Sequence, residues 1–281
     1  MTNSIATESS DVDVVATQLR QELDDGRIEL PLLPSVAAEV LTSSLDEQSD
    51  AARFAGLIQQ DQTLAARMIR IVNSPAFRGA VEIVALQQAI ARLGMQRIRE
   101  IALSASLKGS LFKKGSYDAI AEETWQVVLA AGLWAKEVAR ASRRNVEIAY
   151  LCGLLHSIGA PLILSRLGEL APDLARTGVE ELLEALTAQA GARLAEQRNL
   201  PEAVTVTIEH LHRFEQAGDE QDLVAVTECG VGLARWMCTK SLSMPEVVHL
   251  PAMQHLNLYP EDVEGILENE SQVRTAIESM S

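Results

Sequence analysis

Apolar residues recur three and four positions apart along most of this 281-residue chain, the spacing typical of amphipathic α-helices. The clearest stripe is Leu64, Met68, Ile71 and Val72, on the helix that follows Asp61. The alternation of apolar and polar residues that is typical of strands is not sustained over several elements. The pattern therefore predicts an all-α protein, a bundle of many helices.

Two breaks in the first part of the chain predict where helices end. Pro75 disfavours helical geometry at Ser74, so the helix that carries the Leu64 stripe should stop at Asn73 or Ser74. Gly94 follows an apolar stripe that ends at Leu93 and should form a left-handed C-terminal cap.

The segment Gly109–Ser116, which contains Lys113 and Lys114, predicts a loop between two helical lobes. The first ten residues are rich in Ser and Thr, and we expect them to be disordered. We therefore predict three parts: a polar segment and helix at 1–24, a two-lobe domain at 25–220 with lobes at about 25–110 and 117–220, and a C-terminal helical extension at 221–281.

The net charge of the chain bears on which classes of molecule it can bind. The chain has 39 acidic against 24 basic residues and a net charge of −15, which opposes binding to nucleic acid or to an anionic membrane. No apolar run reaches about 18 residues, so we expect no membrane span, and the N-terminus lacks the pattern of a signal peptide. Two arginine clusters are interpreted as solvated helix faces or ends, with phosphate sites as the alternative: Arg92, Arg97, Arg99 and Arg140, Arg143, Arg144.

The three cysteines, Cys152, Cys229 and Cys238, match no zinc-binding spacing. We expect buried, reduced thiols, which implies a reducing compartment and a cytoplasmic protein. The sequence also contains no glycine-rich phosphate loop and no nucleophile elbow.

A series of short motifs, spread over about residues 25–215, resembles the HDOD domain of bacterial signalling proteins. This family is a helical relative of the HD superfamily of metal-dependent phosphohydrolases. The motifs are Leu30-Pro31-x-x-Pro34, Leu57-Ile58-x-x-Asp61-x-x-Leu64, Asn73-Ser74, Ala89-Ile90-x-x-Leu93-Gly94, Trp125, Gly153-Leu154-Leu155-His156 with Ile158-Gly159, Gly191, and Leu200-Pro201-Glu202. The resemblance implies an HD-like bundle of two packed helical lobes.

The resemblance also places a metal-binding His-Asp doublet at His156 and Ser157. Ser157 stands where a phosphohydrolase would have an aspartate, and a hydroxyl is a poor substitute for a carboxylate as a ligand of a divalent cation. We expect His156 to be a satisfied histidine near the core, hydrogen-bonded to the backbone or to Ser157.

The other donor positions that the resemblance implies are also altered. Val127 and Thr187 occupy positions where relatives carry histidine, and a His-His pair aligns with Leu211-His212. Glu228 is the nearest carboxylate to the last ligand position. The remaining candidates for an HD-type pocket are therefore His156, Ser157, His212 and Glu228, too few to predict a metal or another cofactor.

The function that follows is a non-catalytic signal-transduction module that binds proteins, in two-component, chemotaxis or stress regulation. Contact candidates are Lys113, Lys114 and the surroundings of His156 and His212. We expect a signalling protein as partner, no nucleic acid and no membrane, and leave a homodimer open. The alternatives are a phosphohydrolase or phosphodiesterase with an atypical metal site, and a pseudo-enzyme that senses a nucleotide.

Overall fold

The computed structural model describes residues 2–28, 33–43, 51–112 and 115–281, with the backbone alone at residues 2–11, 42, 43 and 51. All regular structure in these ranges is helical, so the all-α prediction is confirmed. The N-terminal helix is α1 (Thr2–Asp24). The first lobe follows it and contains five helices: α2 (Ser35–Ser43), α3 (Ala51–Gln60), α4 (Gln62–Val72), α5 (Leu86–Leu93) and α6 (Met95–Leu111).

The second lobe and the C-terminal extension complete the chain. The second lobe contains α7 (Asp118–Ala141), α8 (Val146–Leu155), α9 (Ala160–Leu170), α10 (Arg176–Gln197), α11 (Glu202–His210), two short 3-10 helices (Phe214–Gln216 and Gly218–Glu220) and α12 (Gln221–Cys238). The sequence predicts that the extension begins at residue 221, but α12 packs along α7 and belongs to the second lobe. The helices that follow it are α13 (Met244–Val248), α14 (Pro251–His255), α15 (Pro260–Leu267) and α16 (Glu270–Met280).

The first lobe forms around the stripe on α4, whose four predicted apolar residues are all buried. Asp61 caps this helix, because its carboxylate accepts hydrogen bonds from the backbone N–H groups of Thr63 and Leu64, both at 3.0 Å. The helix ends at Val72, as the Asn73-Ser74 break predicts. The Leu30-Pro31 part of the first motif lies outside the described residues.

Two predicted boundaries in this lobe differ from the structure. Gly94 has a positive φ of 81°, but its ψ of 157° is extended, because the residue ends α5 and also starts α6. The loop predicted from Gly109 begins later, since α6 continues to Leu111, whose side chain is buried in the core. Burial of that apolar side chain outweighs the modest cost of Gly109 within a helix.

Three helices at the centre of the second lobe pack at backbone contact distance. A Cβ atom placed on Gly153 of α8 would lie 2.7 Å from both the carbonyl oxygen of Ala131 and the Cα of Gly132 on α7. A Cβ on Gly230 of α12 would lie 2.7 Å from the backbone nitrogen of Ala135 and 2.9 Å from the same Ala131 carbonyl oxygen. Glycine is therefore required at both contacts, and α8 and α12 both pack closely against α7 near Ala131.

Helix α1 corrects the prediction that the first ten residues are disordered, because it is continuous from Thr2 to Asp24. No proline or glycine interrupts it before Gly26. It packs on α10, and its buried residues Leu19 and Leu23 join a small apolar cluster with α9 and α10. Glu22 accepts two hydrogen bonds from Arg166 of α9, at 2.7 and 2.9 Å, and this contact holds the pKa of Glu22 down at about 2 despite partial burial.

A buried ion pair joins the two lobes. The Lys136 ammonium on α7 donates to both carboxylate oxygens of Glu100 on α6, each at 2.7 Å, and both residues are buried. Tyr150 on α8 closes the contact, because its hydroxyl donates to the Glu100 carbonyl at 3.1 Å. Burial lowers the pKa of Lys136 and the Glu100 carboxylate opposes this shift, so the pair stabilises the charged lysine.

The extension packs back on α7 and α12, and one continuous apolar core includes residues from both lobes and from the extension. His255 of α14 contacts Asp222 at the start of α12, with 2.7 Å between Nε2 and Oδ1. Arg144 pairs with the same carboxylate at 2.7 Å. This three-residue contact ties the extension to the turn between α7 and α8.

The stretch Val146–Leu170 is long and apolar enough to cross a membrane by length and composition alone. It spans α8 and α9, the chain turns between Leu155 and Ala160, and most of the stretch is buried inside the protein. The three cysteines differ in burial. Cys152 and Cys229 are buried free thiols, whereas Cys238 is only half-buried.

The glycine contacts yield a prediction about stability. We expect Gly153→Ala to lower the free energy of unfolding by about 3 kcal/mol, because the new methyl group would meet the α7 backbone, which cannot move aside as a flexible side chain can. Urea denaturation measures the change. The matched control is Gly265→Ala in α15, where a Cβ meets nothing within 4 Å, and which should stabilise the protein by about 0.5 kcal/mol. Equal effects of the two variants would contradict backbone contact at Gly153.

The ion pair yields a second prediction. We expect Lys136→Met to cost about 3 kcal/mol in urea denaturation, because it leaves the Glu100 carboxylate buried with only Arg97, at 3.2 Å, as a partner. The double variant with Glu100→Gln should recover most of this loss, since it removes the unpaired charge. If the double variant is no more stable than Lys136→Met alone, the unpaired Glu100 charge is not the cause of the lost stability.

Candidate functional site

The site predicted from the sequence centres on the C-terminal end of α8. His156 follows the last residue of α8 and retains only 6% of its surface exposed. Its Nδ1 lies 2.7 Å from the carbonyl oxygen of Gly153. Because a carbonyl can only accept, Nδ1 carries the proton and Nε2 carries the lone pair. This contact is the backbone hydrogen bond that the sequence analysis expects for His156.

Burial keeps His156 neutral. Desolvation lowers the pKa of this imidazole to about 4, and the nearby positive charge of Arg235 adds to the shift, while the hydrogen bond to Gly153 opposes it. The protonation pattern, with Nδ1–H on a backbone carbonyl and Nε2 free, is the one that metal-binding histidines adopt. The question is therefore whether other donors join His156.

Close packing fixes the backbone next to His156. A Cβ on Gly159 would lie 2.2 Å from the carbonyl oxygen of Thr187 and 2.5 Å from the backbone nitrogen of Gly191. The start of α9 is thus pressed against α10, and the backbone of Thr187, a position where the resemblance implies a histidine, lies next to Gly159. Ser157 is half-buried beside His156.

His212 follows the end of α11 and is the second histidine of the group. It lies near enough to affect the pKa of His156. Partial burial of its ring lowers the pKa of His212, Arg235 lowers it further, and Glu184 opposes both, although much of the side chain remains exposed. The two histidines are therefore near enough to interact electrostatically, and no hydrogen bond between these two described side chains is present.

Glu228 lies on α12, where burial raises the pKa of its carboxyl to about 7. The Glu215 carboxylate raises this pKa further and Arg235 lowers it. One oxygen, Oε2, is buried and has no hydrogen-bond partner within the described part of the chain. A cation that bound here would have to displace this proton, so its binding would weaken as the pH falls.

The donor set does not fit a metal ion. In the described ranges, no three residues among His, Cys, Asp and Glu are grouped so that they could hold one. The common electrostatic neighbour of His156, His212 and Glu228 is instead Arg235. The positive charge of this exposed arginine opposes the approach of a second cation to these groups.

Arg235 was not recognised as a site residue from the sequence, and neither was Glu215. A signal existed for Arg235, because it lies seven residues after Glu228 on α12 and so shares a helix face with it. Glu215 belongs to a short 3-10 helix whose approach to α12 has no sequence signature. The contact candidates Lys113 and Lys114 lie outside the described residues.

Comparison with known proteins identifies the same family as the sequence motifs. The family model described as HDOD domain matches residues 30–214. An uncharacterized protein of Treponema pallidum (strain Nichols) is 25% identical over 228 residues, which is 77% of this chain. The match covers 44% of that relative, so the chain spans less than half the length of the curated protein it resembles.

Solved structures share the fold at low identity. An HDOD domain protein with unknown function from Geobacter sulfurreducens superimposes with a TM-score of 0.73 at 20% identity, covering 95% of this chain and 97% of that one. A Shewanella amazonensis protein, provisionally named a metal-dependent phosphohydrolase, gives 0.72 at 20% identity and covers 97% and 100%. A Marinobacter aquaeolei protein, provisionally named a signal transduction protein, gives 0.62 at 19% identity and covers 98% and 66%.

The burial of His156 predicts a dependence of stability on pH. The pKa falls from 6.5 to about 4 on folding, so the unfolded chain binds more protons between these values. The contribution of His156 is therefore complete above pH 6.5 and is lost as the pH falls towards 4, by about 3 kcal/mol. We expect His156→Gln to lack this loss in urea denaturation series over that pH range.

Ser157→Ala is the control, because it changes the neighbouring residue and removes no titrating group. It should keep the pH dependence of the parent chain. If His156→Gln and Ser157→Ala follow the same curve, the imidazole is not buried in its neutral form.

Proposed function

Because the chain belongs to the HDOD domain family, we propose that it is a non-catalytic module of bacterial signal transduction that acts by binding another protein. The observation that carries the proposal is the loss of donors around a retained histidine. Ser157 and Thr187 offer hydroxyls where the resemblance implies a carboxylate and an imidazole. The scaffold of a hydrolase thus remains while its ligand set does not.

Electrostatics support the same proposal. Arg235 acts on His156, His212 and Glu228 from one position. Its charge disfavours a second cation among these groups. The buried thiols Cys152 and Cys229 suit a reducing compartment, and we propose the cytoplasm as the place of action.

A second candidate function is a phosphohydrolase with an atypical metal site. It is favoured by the protonation of His156, which leaves Nε2 free to bind a metal. The third reading, a pseudo-enzyme that senses a nucleotide, would place an anionic ligand near Arg235. Both alternatives are separated from the proposal by metal content, turnover and ligand binding.

The test uses the full chain, purified without chelators and analysed by mass spectrometry for iron, manganese, nickel and zinc. We expect metal well below one ion per chain and no turnover of cyclic dinucleotides, because two imidazoles cannot retain a divalent ion against water. The triple variant Val127→His, Ser157→Asp and Thr187→His restores the implied donors and should bind more metal than the parent. Stoichiometric metal together with turnover in the parent chain would refute the proposal.

Two further measurements complete the test. A shift of the melting temperature by a nucleotide, without turnover, would favour the sensing pseudo-enzyme. Affinity capture from the native host, with the full chain as bait, should enrich signalling proteins. If none is enriched and metal is bound, the enzyme reading replaces the proposal.

A further inference from the structure

Charge is unevenly distributed along this acidic chain. Within the described residues 62–112 there are seven Lys or Arg and two Asp or Glu, although the whole chain has a net charge of −15. One of the two carboxylates, Glu100, is buried against Lys136. The surface formed by α4, α5, the start of α6 and the connection between α4 and α5 is therefore basic on an otherwise acidic protein.

The connection between α4 and α5 is a fixed structure. The Asn73 side chain donates to the Ile83 carbonyl at 2.7 Å and accepts from the Ile83 N–H at 2.8 Å, while it also donates to the Ile69 carbonyl at 3.0 Å. Ile83 is buried by this anchor. The residues on either side of it are consequently held outwards, so this segment is ordered without being covered.

The anchored segment exposes aliphatic side chains. Val81 is 71% exposed and Val84 is 73% exposed. They are two of the four large hydrophobic side chains that the described part of the chain leaves exposed, and the other two are Val14 and Tyr259. The two valines thus place aliphatic surface in one short, ordered segment, within reach of the arginines of the same lobe.

Arginines surround these valines. Arg92 donates to the Val81 carbonyl and lies against Gly79, with 3.3 Å between the guanidinium and a Cβ placed on that glycine. Arg97 lies over the Phe77 ring at 5.9 Å from its centroid. Arg78 is exposed, and its guanidinium makes no hydrogen bond or ion pair within the described residues. We call the set Arg78, Val81, Val84, Arg92 and Arg97 the loop patch.

We propose that the loop patch is the protein-docking surface of this module and that its partner presents an acidic segment with aliphatic side chains. This proposal rests on the proposed function, because it names the chemistry of the partner. Carboxylates of the partner would pair with Arg78 and with the outer faces of Arg92 and Arg97. Its aliphatic side chains would cover Val81 and Val84.

The same features disfavour a nucleic acid. Single-stranded nucleic acids stack on exposed aromatic rings, whereas the loop patch exposes valines and its nearest ring, Phe77, lies under Arg97. The net charge of −15 also repels a polyanion at long range. A protein segment combines fewer charges with apolar contacts and fits this surface better.

The experiment selects binders from a random peptide library displayed on phage, with the full chain as the target. We expect enrichment of peptides that combine Asp or Glu with Leu, Ile or Val. Their binding should weaken about tenfold or more in the double variant Arg78→Glu and Val81→Ser, and it should fall as salt rises. Neither substitution touches the Asn73 anchor, and the melting temperature of the variant checks that the fold is kept.

The matched control is the double variant Arg20→Glu and Val14→Ser on α1. It removes an exposed arginine and a valine that is 63% exposed, far along the chain from the loop patch. Peptide binding should be unchanged in this control. Enriched peptides without acidic residues, no enrichment, or equal loss in both double variants would overturn the assignment.

Parallel titrations use single-stranded DNA, phosphatidylglycerol vesicles and the chain itself in sedimentation. Binding or self-association that depends on Arg78 and Val81 in any of these would overturn the choice of partner. The outcome is separate from the test of the proposed function. Acidic peptides that bind elsewhere on the chain would refute the loop patch as the docking surface, but the chain would still be a binding module. Bound metal with turnover would refute the proposal that the chain is a non-catalytic binding module.

Discussion

The second lobe depends on backbone contact between α7 and its two neighbours, α8 and α12. Gly153 and Gly230 both approach the backbone of α7 near Ala131, so neither can carry a side chain without moving a helix. This contact fixes where α8 ends and therefore where His156 lies. Close packing of this kind tolerates little change of volume, so the position of His156 is set by the core and does not require a bound metal.

The chemistry near His156 follows from that packing. Burial makes the imidazole neutral and the Gly153 carbonyl fixes its proton on Nδ1. Such a group needs converging carboxylates and imidazoles to become part of a metal site. It has Ser157 beside it and Arg235 as a charged neighbour, and neither residue offers the carboxylate that such a site needs.

Local pattern was enough to predict most helices, because each apolar stripe needs only its own period. The stripe on α4 is an example, and so is the end of that helix before Pro75. Predictions failed where contacts between residues far apart in the sequence determine the structure. Helix α6 passes Gly109 because Leu111 joins the core, and Arg235 entered the site because α12 packs beside α8 and α11, a placement that no local period encodes.

The two lobes divide the properties of the protein between them. The second lobe holds the glycine contacts and the buried His156. The first lobe holds the basic surface and the exposed Val81 and Val84, and packing of the core requires neither feature. The buried pair of Glu100 and Lys136 connects them directly, because its two residues sit on α6 and α7. An ion pair this buried is sensitive to small displacements, so a partner that moves α6 would alter the contact with α7.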